Sequence, residues 1–423
     1  MPDTQVGNPQ SFHNMKINTI EGMFASASDN LFVPYLGLYA LSFGATPLQI
    51  GMLNAFPTLF GNLLQIPYGM LAERIKDRKR LITIGALLNR CTLLIMAFIP
   101  FLVNPEWAVP VLIGLATFRV IAANLGVPAW TALQAEIIPK PLRGRYYANR
   151  NLLINSTAFI STLIAGRILM LNYPRNYQSL LSAAWLMGIV AILSFLRLRI
   201  KPQPRNEITK KPKTIWSVKA ATQAIAKNKN FAYYCLSSMV WNLGVSLGSP
   251  LLSVYFNQEL YGSAQFWAFV QAAITGAGIL CQRFWGRYVD KVGQKRVMLR
   301  SGIGVSLIPI WWVLAPHYLV GPLIGFWDGC SWGGYNLAAF NLLLEITPDH
   351  NRSKYVGIYN SLIGIASTIG PIFGGFLVDF IGLKWVLILS GLGRVCGLLL
   401  LRLFVNNVSE PEFAHAHQGS YQA

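Results

Sequence analysis

Apolar stretches of about 20 residues or more recur twelve times along this chain, each long enough to cross a hydrocarbon core of about 30 Å as a helix. They run over Ile17–Phe43, Leu48–Leu71, Leu81–Val103, Trp107–Ile138, Tyr146–Leu171, Leu180–Leu198, Phe231–Phe256, Ala264–Val289, Val297–Leu314, Tyr318–Ile346, Tyr355–Phe380 and Trp385–Val405. Because the runs are continuously apolar, they read as helices; barrel strands would alternate over about 10 residues. Composition agrees: 53% of the residues are hydrophobic and only 12% charged, against roughly 25% charged in soluble domains. The first run is too long, and too weakly basic at its start, to be a cleaved signal peptide.

Net charge is +19, a balance that in a soluble chain would suggest nucleic acid. Its placement points elsewhere. Of the 35 Lys and Arg residues, 27 lie at the N-terminus or in and beside the loops after even-numbered runs. The loops after odd-numbered runs hold only Arg175 and Lys384. This asymmetry predicts that both termini and the even loops face the cytoplasm, in a multi-pass protein of the cell (inner) membrane, with no nucleic-acid partner. The polar stretch 199–230 divides the chain into 15–198 and 231–405, with tails over 1–14 and 406–423. Within it, Ile215–Ala226 reads equally as a surface helix or plain linker. The five cysteines lie inside apolar runs without CxxC spacing, so no disulfide or metal site is expected. The histidines form no ligand cluster.

The two halves repeat. "GMLAERIKDRK" at Gly69–Lys79 returns as "GRYVDKVGQKR" at Gly286–Arg296, and the leading glycines are 217 positions apart. "EIIPKPLRGRYYANRN" at Glu136–Asn151 returns as "EITPDHNRSKYVGIYN" at Glu345–Asn360, offset by 209. Both repeats fall on even-numbered, basic loops. Six helices followed by six inserted in the same sense describe parallel repeats about an axis along the membrane normal, an arrangement used by alternating-access transporters.

On these loops the chain resembles the major facilitator superfamily, whose loop between helices two and three reads GxxxDRxGRR. Gly69, Glu73, Arg74 and Arg78 fit it, with Glu73 in place of Asp and Lys76 where a glycine is usual. Gly286, Asp290, Lys291, Gly293 and Lys295 form the second copy, with Gln294 replacing an arginine. The resemblance covers nearly the whole chain. It implies an all-α membrane protein of 12 transmembrane helices in two six-helix bundles. It also implies that these loops gate the cytoplasmic face; the competing reading is that they only orient the protein. Glycine would let helices approach closely there, and an acid would engage a neighbouring helix end or basic group. Glu136 with Arg143, and Glu345 with Arg352, are placed for gate ion pairs near the same face. "GPIFGG" at Gly370–Gly375 resembles a family signature for antiport, but it falls in helix eleven, so its plain meaning is close helix packing.

Substrate chemistry is expected from ionisable residues at mid-depth, where an unpaired charge costs from about 2.5 to more than 10 kcal/mol. Arg119 lies twelve residues into the fourth run, roughly 18 Å along a helix. Adding the repeat offset of 209 leads to Asp328 in the tenth run, so the halves present opposite charges at matching depth. Arg119 also resembles the family's fourth-helix pattern LxxxRxxxG, with Leu115 present but alanines at 122 and 123, and the family links that arginine to proton coupling. Asp29 in "SASDNLFVPY" is the third candidate, suited to a proton, sodium or a polar substrate group, or else to a structural pair with Arg90. Asn242, Trp327, Trp332, Tyr335 and Asn336, with Trp241, Asn54, Asn62 and Gln65, are pathway candidates or ordinary interhelical contacts.

No P-loop, HExxH or GxSxG occurs, so neither ATP hydrolysis nor an enzyme is expected. The expectation is a monomeric secondary transporter of a small solute, working by alternating access without a cofactor, with proton coupling favoured. Uncoupled diffusion, and a non-transport role such as sensing or membrane-complex assembly, are the alternatives. The Arg119 and Asp328 pair suits a polar or zwitterionic solute, while the aromatics suit amphipathic ones equally.

Overall fold

A computed structural model describes residues 9–75, 77–139, 142–199, 228–347 and 352–406. Nearly all of the expected linker 199–230, including its Ile215–Ala226 stretch, and most of both tails lie outside the described residues. The described chain is helical, without strands. In the first half the helices are α1 (Pro9–Phe32), α2 (Leu36–Ser42), α3 (Pro47–Leu63), α4 (Gln65–Arg74), α5 (Arg78–Ala97), α6 (Ile99–Leu102), α7 (Pro105–Ile137), α8 (Arg143–Ile168) and α9 (Arg175–Leu196). The second half supplies α10 (Lys229–Gly248), α11 (Leu252–Gln258), α12 (Ala264–Val292), α13 (Gln294–Leu314), α14 (Gly321–Ile346), α15 (Arg352–Ile381) and α16 (Leu383–Phe404).

Each apolar run becomes a helix or a pair of broken helices. The first run breaks at the 3-10 turn Val33–Tyr35, and the seventh breaks at Ser249–Leu251. Pro34 and Pro250 sit in these turns, 216 residues apart, and each removes a backbone donor that a continuous helix would need. Among the described residues, eight helices are long and apolar enough to cross a membrane on length and composition alone. Runs one, two, five and ten fall short. Run two is divided between α3 and α4, and the other three carry charged, amide or glycine-rich stretches that lower their mean hydropathy.

Three kinds of contact repeat between the halves. Asn14 and the Arg199 backbone exchange two hydrogen bonds (2.9 and 3.0 Å), and Asn230 does the same with Asn406 (3.2 and 2.7 Å). The Tyr39 hydroxyl donates to the Met96 carbonyl at 2.8 Å, and Tyr255 donates to Val313 at 3.3 Å. Lys79 Nζ donates to the carbonyls of Leu196 and Leu198 (2.6 and 2.9 Å), while Lys295 Nζ donates to those of Arg402 and Val405 (3.3 and 2.6 Å). These bonds satisfy carbonyls that the ends of α9 and α16 leave open.

The halves meet mainly on the side away from the basic loops. There α15 crosses α3 so closely that a side chain at Gly51 would run into the Pro371 carbonyl, and one at Gly375 into Pro47 and Leu48. Gly374 seats against the Leu247 backbone, so "GPIFGG" is a close-packing surface, as its composition suggests. Beside it α8 crosses α12 through Gly166 on Ala268 and Phe159 on Gly276. The Trp267 indole N–H donates to the Pro34 carbonyl at 3.1 Å. Toward the basic face, among the described residues, nothing lies within 4 Å of a Cβ built on Gly69 or Gly286.

One cysteine expectation is corrected. Cys281 of α12 and Cys330 of α14 form a disulfide, their Cα atoms 5.4 Å apart. A side chain at Gly329 would run into the Ile274 backbone. That close crossing brings together two cysteines 49 residues apart, a pairing that linear spacing does not reveal.

Candidate functional site

The candidate site has two cavities, one in each half. The larger, about 500 Å³, is lined by Asp29, Asn30, Val33 and Pro34 from the first span, Asn89 and Arg90 from α5, and Arg119, Val120 and Ala123 from α7. Asp29 is its focus. Arg119 Nη2 donates to Asp29 Oδ1 at 2.6 Å, and Arg90 Nη1 donates to the same oxygen at 2.8 Å. The side chains of Arg90 and Arg119 are 10% and 12% exposed, whereas Asp29 is 46% exposed and faces the cavity.

Neighbouring helices fix this geometry. Arg90 Nη1 also donates to Ser28 Oγ at 2.9 Å, and that hydroxyl donates to the Ala184 carbonyl of α9. The aliphatic part of Arg90 fills the space left by Gly188, where any Cβ would collide with it. Asn89 Nδ2 donates to the Arg119 carbonyl at 2.9 Å, tying α5 to α7. The Arg119 guanidinium also lies 5.8 Å from the Phe32 ring centre, close enough for a cation–π contribution. Arg119 Nε is buried without a hydrogen-bond partner.

Nearer the basic face a second charged group continues along α1. Arg150 Nη2 lies 3.8 Å from Glu21 Oε2, and Arg150 Nε donates to the Asn18 carbonyl at 3.4 Å. Asn18 and Gln134 exchange two side-chain hydrogen bonds, 2.9 and 2.7 Å. This network joins α1, α7 and α8.

The second cavity, about 230 Å³, belongs to the C-terminal half and has no ionised lining residue. Trp241, Trp332, Tyr335 and Tyr359 supply aromatic walls, and Asn242, Asn336 and Asn360 supply carboxamides. Trp241 stacks on Tyr335 with ring centres 4.4 Å apart and planes at 15°, and Trp332 meets Tyr335 edge-on at 5.7 Å. Tyr234 stacks beside them on Tyr359.

The sequence expectation paired Arg119 with Asp328, and here the structure differs. Arg119 turns to Asp29 within its own half. Asp328 lines neither cavity; one of its oxygens is buried without a hydrogen bond, and the charge acting on it is that of Arg394. Arg394 is fully buried and donates to the Val305 carbonyl at 2.9 Å and to Ser249 Oγ at 3.3 Å. Repeat arithmetic gave matching depth but said nothing of which way each helix turns its side chain. Trp327 is also absent from the cavities. It is 42% exposed, donates to the Gly304 carbonyl and packs on Trp311. Asn242, Trp332, Tyr335 and Asn336 do share one cavity.

The gate candidates separate into several groups. Gly69 and Gly286, expected to allow close helix approach, meet nothing among the described residues. Gly293 ends α12 with φ of 82°, a turn that favours glycine. Asp290 and Lys291 are exposed in the last turn of α12, and Arg78 opens α5. Lys295 caps α16 rather than crossing between halves. Glu345 is exposed and hydrogen-bonded by Gln294. The side chains of Glu73, Arg74, Glu136, Arg143 and Arg352 fall outside the described residues. Glu21, Arg150 and Arg394 were missed by sequence reasoning, although Glu21 precedes Asp29 by eight residues on one helix and Arg394 interrupts an apolar run.

Comparison with known proteins adds four findings. The family model described as Major Facilitator Superfamily matches residues 20–341 and 243–420. An uncharacterized MFS-type transporter of Methanocaldococcus jannaschii is 23% identical over 361 residues, 83% of this chain and 87% of that protein. The multidrug resistance protein MdtG of Dickeya zeae is 26% identical over 203 residues, 45% of this chain and 47% of that protein, so this match spans about half of each. Among solved structures, a D-xylose-proton symporter superposes with a TM-score of 0.70 at 15% identity, over 94% of this chain and 98% of that one. At that identity the likeness establishes the fold.

Proposed function

The chain belongs to the Major Facilitator Superfamily and is a secondary transporter of a small solute; from that premise we propose that it works by alternating access, driven by protons. The supporting observation is the Asp29, Arg90 and Arg119 cluster, a carboxylate held by two guanidiniums and facing a cavity lined by α1, α5 and α7. Asp29 is the proton carrier in this reading, and Arg119 reports its charge state to α7. The solute occupies the space between the charged and aromatic cavities. The basic loops face the cytoplasm, which makes the described state inward-open. The glycine-lined crossing of α3 with α15 is then the closed outer gate, and the repeated charged loops close the inner side in the opposite state. The transporter acts as a monomer in the cell membrane.

The test uses proteoliposomes with an imposed proton gradient and a panel of zwitterionic and amphipathic solutes. At least one should accumulate above equilibrium, and a protonophore should abolish that accumulation. A double variant, Gly37→Cys with Ser253→Cys, whose Cβ atoms would stand 4.0 Å apart across the closed outer side, should when oxidised stop accumulation and exchange together, and reduction should restore both. Exchange that survives the cross-link overturns alternating access. Accumulation indifferent to protonophore overturns proton coupling.

A further inference from the structure

Resting on the transport reading above, we infer a substrate class: an organic anion carrying a planar ring, which binds together with a proton. The charge arrangement of the N-terminal half leads to this class. Among the described residues its inward charged groups are three arginines, Arg90, Arg119 and Arg150, against two carboxylates, Glu21 and the cavity-facing Asp29. Glu21 and Arg150 face each other. The remaining carboxylate serves two guanidiniums through a single oxygen, so one positive charge in the 500 Å³ cavity has no counter-charge among the described residues. A charge left uncompensated at this depth is costly, and an anionic group on the solute supplies the missing partner. Arg119 Nε, buried without an acceptor, marks unused donor capacity at the same point.

Proton coupling follows from the same geometry. Asp29 is faced by Arg90 from α5 and Arg119 from α7, with Glu21 two turns away on its own helix and Arg150 beyond it on α8. Between Gln178 and Leu196, α9 brings no ionisable side chain. A proton taken up on the free oxygen of Asp29 leaves both guanidiniums for the incoming anion. An anion placed beside a carboxylate in turn favours its neutral form, so each ligand strengthens the binding of the other by the same factor. Proton and anion then cross as a neutral pair, at less cost than the anion alone.

The second cavity selects the rest of the molecule. Stacked Trp241 and Tyr335 with edge-on Trp332 present π faces, and Asn242, Asn336 and Asn360 offer hydrogen bonds to a ring's polar edge. Such walls would also suit an organic cation, but the unbalanced guanidinium charge across the site opposes one.

The probes are indole-3-acetate, indole-3-acetamide and tryptamine, which share a ring and differ in charge, together with acetate. Binding to the purified full-length chain in nanodiscs is read by calorimetry between about pH 6 and about pH 8, where the indole anion stays ionised. Indole-3-acetate should bind at least roughly tenfold tighter than the amide, tryptamine more weakly still, and acetate alone not measurably. Its affinity should rise as pH falls. Asp29→Asn should bind it with no dependence on pH; should that variant not fold, the pH profile of the unaltered chain still decides. Equal or tighter binding of the amide or of tryptamine, binding of acetate equal to that of the indole anion, a flat pH profile, or no binding by any probe each overturns the inference. A chain that arrests under the outer-gate cross-link yet prefers tryptamine keeps the transport reading and loses this one. One that prefers the anion but ignores the cross-link does the reverse.

Discussion

In the N-terminal half the arginine of the central seam, Arg90, stands on α5 and reaches forward to a carboxylate on α1. In the C-terminal half Arg394 stands on α16 and reaches a carbonyl on α13 and a serine at the end of α10. These are corresponding seams, α5 against α9 and α13 against α16, filled from opposite sides. Helix ends behave otherwise: the asparagine clasps, the tyrosine-to-carbonyl bonds and the lysine caps recur in both halves. The ends therefore carry the common scaffold, and the middle of each bundle has diverged. One half became a charged cluster facing a cavity and the other an aromatic pocket, with its buried arginine bonded to a carbonyl and a serine.

The comparison breaks most sharply at the two aspartates. Asp29→Ala leaves two guanidiniums facing each other, and removing one partner of a buried ionic group costs about 3–5 kcal/mol; the 46% exposure of Asp29 places this case near the low end. Accumulation driven by a proton gradient should be lost altogether. Asp328→Asn also removes a counter-charge, yet Arg394 keeps its bonds to Val305 and Ser249 and no cavity-facing group changes. We expect a loss of roughly 1–3 kcal/mol in melting experiments, with the pH dependence of transport unaltered. If Asp328→Asn abolishes that dependence while Asp29→Asn spares it, the chemistry lies in the other half.

Why the scaffold was legible and the site only in part follows from the same division. Twelve apolar runs and two loop offsets fixed the bundles because length and charge asymmetry act over whole helices. Asp29 and Arg119 could be singled out because charge inside an apolar run is expensive wherever it points. Their partnership could not, since pairing depends on helix rotation: Arg119 and Asp328 match in depth yet turn into different seams. Arg394 shows the cost of following only the repeat, because its counterpart function sits on α5 and no residue at the equivalent position of α9 is charged. The cysteine pair was invisible for a related reason, since the glycine-rich α12 and α14 crossing appears only in three dimensions.

A smaller effect sharpens the aromatic side. Trp241 is buried and stacked on Tyr335, whereas the position 216 residues earlier is Ala25, so the stack belongs to the C-terminal half alone. Trp241→Phe keeps a ring but loses stacking area and the indole edge. Such aromatic pairs are worth about 0.5–1.5 kcal/mol beyond burial, so stability should fall by about 1 kcal/mol. Affinity for a ring-bearing solute should drop several-fold in titration calorimetry, while its pH dependence persists. A variant that instead flattens the pH profile would show the two cavities to be less separate in role than their linings suggest.

The smallest expected effect concerns what the halves share. Lys79→Met and Lys295→Met each remove a cation from the end of a helix and strip two carbonyls of their donor, a loss of about 0.3–1 kcal/mol. The two caps set corresponding lysines on two carbonyls at the ends of corresponding helices and are far apart, so the single losses should be similar and should add in the double variant. Thermal melting of the four proteins measures this. Transport separates the cap from a gate: a cap holds a helix end within its own bundle in every conformation, so Lys295→Met should leave the rates of exchange and accumulation in constant proportion. A gate residue stabilises one state only, and its loss would shift that proportion and the labelling of the basic face. Such a shift for Lys295→Met but not for Lys79→Met would return Lys295 to the gating role its motif implied, and would show that the halves differ at their ends as well as in their middles.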